Sequence, residues 1–189
     1  MIRIAVVGDV GSGKSHIARE FGYPVFNADD EVSKLYKQSR KCYHKLKRKL
    51  PTFITSFPVK KSKLVSAIIA NKVNLKKIIK IVHPLIRKKM NIFLKKNKNK
   101  KIVILDIPLL LENKINKKND ILVFVQSKKL DIVKRLKKRS NFNNKLVSKF
   151  RNIQLPLDYK KKKSHFIIKN NFTNKSIKLG IKNILKEIL

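Results

Sequence analysis

The chain has a single cysteine, Cys42, which excludes an intramolecular disulfide and any metal centre built on clustered thiolates. It reads as a buried or incidental thiol. Carboxylates are scarce as well: eleven Asp and Glu stand against 48 Lys and Arg, a formal net charge of +37 over 189 residues. No apolar run approaches the roughly 20 residues that span a bilayer. The opening MIRIAVVGD has too short an apolar stretch for a secretory leader. A soluble, cytoplasmic protein without membrane contact is expected. The length allows a real hydrophobic core in one domain, with room for a small insertion.

Taken alone, so large a positive charge points to a polyanion such as nucleic acid. Its distribution argues otherwise. Lysine recurs in nearly every segment, in KLYKQSRKCYHKLKRKL, LKKNKNKK, NKINKKND and DYKKKKSHF, together with abundant Asn and Ile. These residue types share A- and T-rich codons, so we read the excess as genome composition on a solvated surface, with no specific nucleic-acid partner. The scarcity of acids is more informative, because each one demands a reason.

Residues 2–7, IRIAVV, read as a short buried strand running into the turn GDVGSGKSH and then a helix opening KSHIAREF. GYPVF (22–26) reads as a second strand, followed by a helix in DDEVSKLYKQ whose first turn holds the acids that a helix dipole favours. From about 43 to 95 apolar residues recur at helical spacing, as in KLVSAIIAN and LKKIIKIVHPLIRKKMNIFLKK, with Pro84 expected to start a new helix or kink a longer one. IVILDIP (102–108), DILVFVQ (120–126) and HFIIKN (165–170) are further strands; helices are expected in SKKLDIVKRLKKR, around 145–153, and in the closing NKSIKLGIKNILKEIL. Alternating strands and helices imply an α/β fold with a mostly parallel sheet covered on both faces.

Gly8, Gly13, Lys14 and Ser15 satisfy the phosphate-loop pattern G-x-x-x-x-G-K-[ST], between a strand and a helix as the pattern requires. Glycines let successive N–H groups turn toward phosphate oxygens, and the helix N-terminus adds positive potential. Gly8, Gly11, Ser12, Gly13, Lys14, Ser15 and His16 are thus the candidate nucleotide contacts. Lys14 would reach the β- and γ-phosphates and Ser15 would ligate Mg²⁺. ATP or GTP with Mg²⁺ is strongly implied. Asp29 and Asp106 each follow a strand and should lie at the same sheet edge as the loop, where a carboxylate can hold Mg²⁺ or take a proton from an acceptor hydroxyl. Asp29 also suits a helix N-cap, and Glu112 reads equally as an active-site acid or a helix-terminus charge.

Nearly end to end, the chain resembles the dephospho-CoA kinase family. GDVGSGKS resembles its GG-x-GSGKS, NADD its D-A-D turn, HPLIR (83–87) its HP-[LI]-[IV] signature, and LDIPLLLE (105–112) its D-x-PLL-[FY]-E. The distal KRLKKR and RNIQLPLDYKKKKSHFIIKNN are similar to its R-L-x-x-R, Q-x-P-x-x-x-K and A-D-x-x-I-x-N runs. The resemblance implies a single three-layer P-loop NTPase domain over 1–189, with a five-stranded sheet, a helical acceptor-binding insertion near 43–95 and a lid near 139–160. It implies ATP-dependent phosphorylation of the ribose 3′-hydroxyl of dephospho-CoA, giving coenzyme A; separately, a monomer or small homo-oligomer is expected. Asp29 would be the base and Arg139 the lid residue that neutralises the transferring phosphoryl group; Asp106, from its place at the strand end, is taken with Ser15 as a Mg²⁺ ligand. His83 and the segment Pro108, Leu109, Leu110 to Glu112 would meet the acceptor.

The chain departs from the family pattern at four places. Asn27 replaces the first acid of the D-A-D turn, and His16 the usual Thr. KKSHFIIKNN lacks the common Ala-Asp pair and the Asp before Asn170. Asp9 stands where the loop has its second Gly, putting an anion beside an anionic ligand unless its side chain turns outward. Activity is expected, with altered nucleotide affinity. Another small-molecule P-loop kinase, such as a nucleoside monophosphate kinase, is the enzymatic alternative, although eight arginines are few for gripping an acceptor phosphate. A basic nucleic-acid-binding protein is the non-enzymatic one, and it would leave the phosphate loop unexplained.

Overall fold

The computed structural model describes residues 1–138 and 143–189, so Arg139 lies outside the described residues. Two compact units emerge, one from Met1–Asn27 with Asn97–Leu189, the other Ala28–Lys96.

The first unit is a five-stranded sheet, β1 (Ile2–Gly8), β2 (Val25–Asn27), β3 (Ile102–Asp106), β4 (Ile121–Gln126) and β5 (Phe166–Lys169), in the order β2-β3-β1-β4-β5. Every pairing is parallel, as the continuous apolar runs required. Alternation along the strands sorts the side chains. Ile4, Val6, Ile102, Ile104, Val123, Val125 and Ile168 form one core with Ile17 and Ala18 of α1 (Lys14–Glu20), Phe21 just past it, and Ile177, Ile181 and Ile184 of α9 (Asn174–Ile188). The intervening Ala5, Val7, Val103, Leu105, Leu122 and Phe124 are buried too, so both faces are covered. Helices α6 (Lys129–Lys137), α7 (Asn144–Arg151) and α8 (Leu157–Lys163) complete the unit, with α8 packed on β1 and β4. At the end of the sheet remote from the phosphate loop, Arg3 pairs with Asp120 through Nε and Nη2, each at 2.9 Å.

The second unit is helical: α2 (Ala28–Gln38), α3 (Arg40–Lys49), α4 (Lys61–Ala70) and α5 (Lys72–Lys96). Ser39 caps α3 by accepting from the Cys42 amide, and Asn71 caps α5 by accepting from Val73. Cys42 and Leu46 are fully buried, with Leu64, Ala67, Ile78, Val82, Ile86 and Met90 also in the interior. Pro84 does not start a new helix, because α5 runs on through it. Pro84 and Lys80 are both exposed, so the carbonyl deprived of its helix donor sits on the face that water reaches. Within QLPLDYKKKK, residues Leu157–Lys163 form a helix, α8, for which the sequence reading names no element. Among the described residues, no helix is long and apolar enough to cross a membrane.

Candidate active site

In a parallel sheet the strand ends share one edge, and this strand order reverses direction beside β1, which opens a crevice there. Into that edge β1 delivers the phosphate loop. Gly13 adopts φ +93° and its carbonyl accepts from His16 and Ile17, each at 3.1 Å, starting α1. The loop folds on itself: the Asp9 carbonyl accepts from the Ser12 amide at 3.2 Å and from Lys14 Nζ at 2.7 Å, with the Gly8 carbonyl 3.3 Å from the same ammonium. Lys14 is therefore buried at the centre of the loop. Ser15 is half-buried and His16 exposed at the first turn of α1.

The loop is clamped from outside by two residues that the sequence reading assigned no role. Asn170, just past β5, donates Nδ2 to the Ser12 carbonyl at 2.8 Å, and Ser127, just past β4, donates Oγ to the same oxygen at 3.0 Å. Asn170 is itself fixed, accepting from the Phe172 amide at 2.8 Å. Beside it, the Arg135 guanidinium stacks 4.2 Å from the Phe172 ring centroid. Ser12 is wholly buried, and its Oγ has no hydrogen-bond partner among the described residues.

Asp9 does not turn its side chain outward. Its Oδ1 accepts from the Val10 amide at 2.6 Å, and both carboxylate oxygens receive Arg151, from Nε at 3.3 Å and Nη2 at 3.0 Å. The anion expected to disturb a phosphate ligand is thus met by a cation from α7. A charge inside a phosphate loop was the one available signal for such a partner, though not for its position.

Asp106 ends β3 at 2 % exposure, opposite Asn27 in the β2–β3 register. Asn27 Nδ2 donates to Asp106 Oδ2 at 2.6 Å. The substitution that removes a charge from this turn therefore supplies a donor, where a second carboxylate would have repelled Asp106. The chain then makes tight turns from Ile107 to Lys114, with Leu110 buried, Pro108 and Leu109 half-buried, and Asn113 Nδ2 bonded to the Leu109 carbonyl at 2.7 Å. Glu112 is at neither a bare helix end nor an open surface: Lys160 Nζ lies 2.6 Å from its Oε1, which also accepts from the Leu155 amide at 3.0 Å. With side chains 2 % and 9 % exposed, Lys160 and Glu112 form a buried ion pair that fixes α8 to these turns.

The remaining candidates belong to the helical unit. Asp29 is the second residue of α2, exposed, its carbonyl accepting from Ser33 Oγ at 2.9 Å. His83 is half-buried within α5. Among the described residues, no group of three or more His, Cys, Asp or Glu could hold a metal by itself.

Comparison with known proteins gives a consistent result. The family model described as dephospho-CoA kinase matches residues 2–176. A dephospho-CoA kinase of Bartonella henselae is 32 % identical over 97 % of this chain and 98 % of its own length. That of Wolbachia pipientis wMel is 29 % identical over 98 % and 97 %. The solved dephospho-CoA kinase of Campylobacter jejuni superposes with a TM-score of 0.65 at 22 % identity, covering 98 % of this chain and 96 % of the other, which establishes the likeness of fold.

Proposed function

This chain belongs to the dephospho-CoA kinase family, and we propose that its loop Gly8–His16 binds Mg·ATP and directs the γ-phosphoryl group to the ribose 3′-hydroxyl of dephospho-CoA. The enzyme is an ATP-dependent kinase whose product is coenzyme A. The observation that carries the site assignment is Lys14, buried at the centre of the loop with its ammonium on two loop carbonyls. An ammonium held there, with backbone amides around it, can offset charge on the β- and γ-phosphates.

Mg²⁺ binds through one or two protein oxygens, with phosphates and water supplying the rest. The hydroxyl of Ser15 and the buried carboxylate of Asp106 are hard-oxygen ligands of that kind, so a larger acidic cluster is not needed. Asn27 holds one Asp106 oxygen by an amide donor and so orients the carboxylate. When bound, the ion offsets charge on the phosphate oxygens.

Asp29 is assigned the acceptor proton, as the matching acid of the family's turn. With Asn27 in place of the turn's first acid, Asp29 carries that task without a second charge at position 27. Pro108, Leu109, Leu110, Glu112 and His83 are assigned to the acceptor, and Arg139 to the transferring phosphoryl group. In-line transfer then depends on positioning and charge stabilisation. The test is ADP release from Mg·ATP with and without dephospho-CoA, for wild type and Asp29→Asn. Release that needs the acceptor and falls at least about 100-fold in the variant, the scale of general-base catalysis, supports the assignment. Equal release without acceptor, or an unaffected variant, refutes it.

A further inference from the structure

Residue 9 organises two cations. Its carbonyl holds Lys14 Nζ at 2.7 Å, while its carboxylate receives Arg151 through both oxygens. The carboxylate is 12 % exposed and lies inside the loop that the kinase reading assigns to ATP. Without a counter-charge it would repel the phosphates, and a largely desolvated charge is screened less than one in open water.

The counter-charge comes from the C-terminal end of α7. Helix α7 buries none of its residues, although Asn143 caps it by accepting from the Leu146 amide at 3.0 Å. Arg151 is the last residue of that helix, and its side chain is 41 % exposed. Its planar fork meets the carboxylate through two nitrogens, a geometry that lysine cannot reproduce.

We propose that Arg151 is a positioning residue for nucleotide binding that acts through Asp9. By cancelling the charge of Asp9 it leaves Lys14 as the net charge of the loop, so affinity for Mg·ATP depends on the pair as a unit. The proposal rests on the kinase reading for the identity of the ligand. It assigns Arg151 no contact with the reacting atoms.

The test is a double-mutant cycle on equilibrium Mg·ATP affinity, measured calorimetrically without acceptor. Asp9→Asn keeps an oxygen for the Val10 amide and removes the charge. Arg151→Gln is expected to weaken binding about tenfold, within the usual range of coupling between interacting sites. In the Asp9→Asn background the same Arg151→Gln change is expected to cost less than about twofold, and Arg151→Lys in wild type should recover part of the loss. The kcat of Arg151→Gln at saturating ATP should stay near that of wild type while its KM rises, a split that general loss of structure would not give. Equal losses in both backgrounds, or none in either, would overturn the proposal. Wild type that binds no nucleotide overturns both this inference and the kinase reading; wild type that binds with an additive cycle overturns this inference alone.

Discussion

Gly13 and Gly22 both have positive φ, at +93° and +73°, yet replacing each with alanine should have unequal consequences. At Gly22 a Cβ would meet nothing within 4 Å. Only the left-handed backbone opposes alanine there, at about 1–2 kcal/mol. At Gly13 the same backbone cost applies, and the Cβ would fall 2.5 Å from Asn170 Nδ2. Asn170 has little freedom to withdraw: it is 3 % exposed, bonded to the Ser12 carbonyl and the Phe172 amide, and its own amide donates to Gln126 at 2.7 Å. Breaking the two side-chain bonds costs roughly 0.5–1.5 kcal/mol each, for a total near 2–5 kcal/mol. In a chain of this size each kcal/mol lowers Tm by about 3 °C, so Gly13→Ala should lose about 6–15 °C and Gly22→Ala about 3–6 °C. Thermal denaturation followed by circular dichroism reads both. In Gly13→Ala/Asn170→Ala the clash is gone, so the two losses should be clearly less than additive. Equal losses for Gly13→Ala and Gly22→Ala, or strict additivity with Asn170→Ala, would refute the reasoning.

Three further outcomes are expected. Lys14→Ala should reduce phosphoryl transfer by at least about 100-fold, the scale seen when one preorganised charge donor is removed, with a cooperative melt retained; normal turnover would remove Lys14 from its role. Lys160→Met leaves Glu112 buried without its cation, at a cost of about 3–5 kcal/mol, and Lys160→Met/Glu112→Leu should restore most of that in a denaturant titration; no recovery would mean that the pair is not the source of the loss. Burial, outweighing Arg3 and the Lys117 amide, holds the Asp120 carboxyl above its ordinary 3.8, so the unfolded chain releases this proton first. Stability relative to Asp120→Asn should therefore be greatest below that value and decline as pH rises through the higher folded-state value. A difference that grows in favour of wild type with rising pH would show that Arg3 dominates.

What could be read in the sequence was local. The apolar runs ending in Gly8 and Asp106 announced parallel strands, because both faces of such strands are buried and an acid can follow only at the open edge. The phosphate loop was legible because its spacing and its strand-to-helix setting coincide. What could not be read depends on partners distant in the chain. Lys160 lies in a KKKK run that reads as solvated, yet it is 1 % exposed because Glu112 receives it. Arg151 looked like one more surface cation, and only the fold brings it to Asp9. Asn27 appeared as a lost charge until the β2–β3 register set its amide opposite Asp106. Asn170 was visible within a motif, but its hold on Ser12 depends on where β5 ends beside β4. Pro84 left a new helix and one longer helix both open for a related reason: its penalty depends on whether the freed carbonyl is buried, which exposure decides and local sequence does not.

The most direct test of the central claim is transfer from Mg·ATP to a panel of acceptors, dephospho-CoA, AMP, CMP and adenosine, with the product identified by mass and by the position of the new phosphate. Turnover selective for dephospho-CoA, yielding coenzyme A phosphorylated at the ribose 3′-hydroxyl, is the expected result. Turnover only with a nucleotide acceptor, or phosphate appearing at any other position, would contradict it.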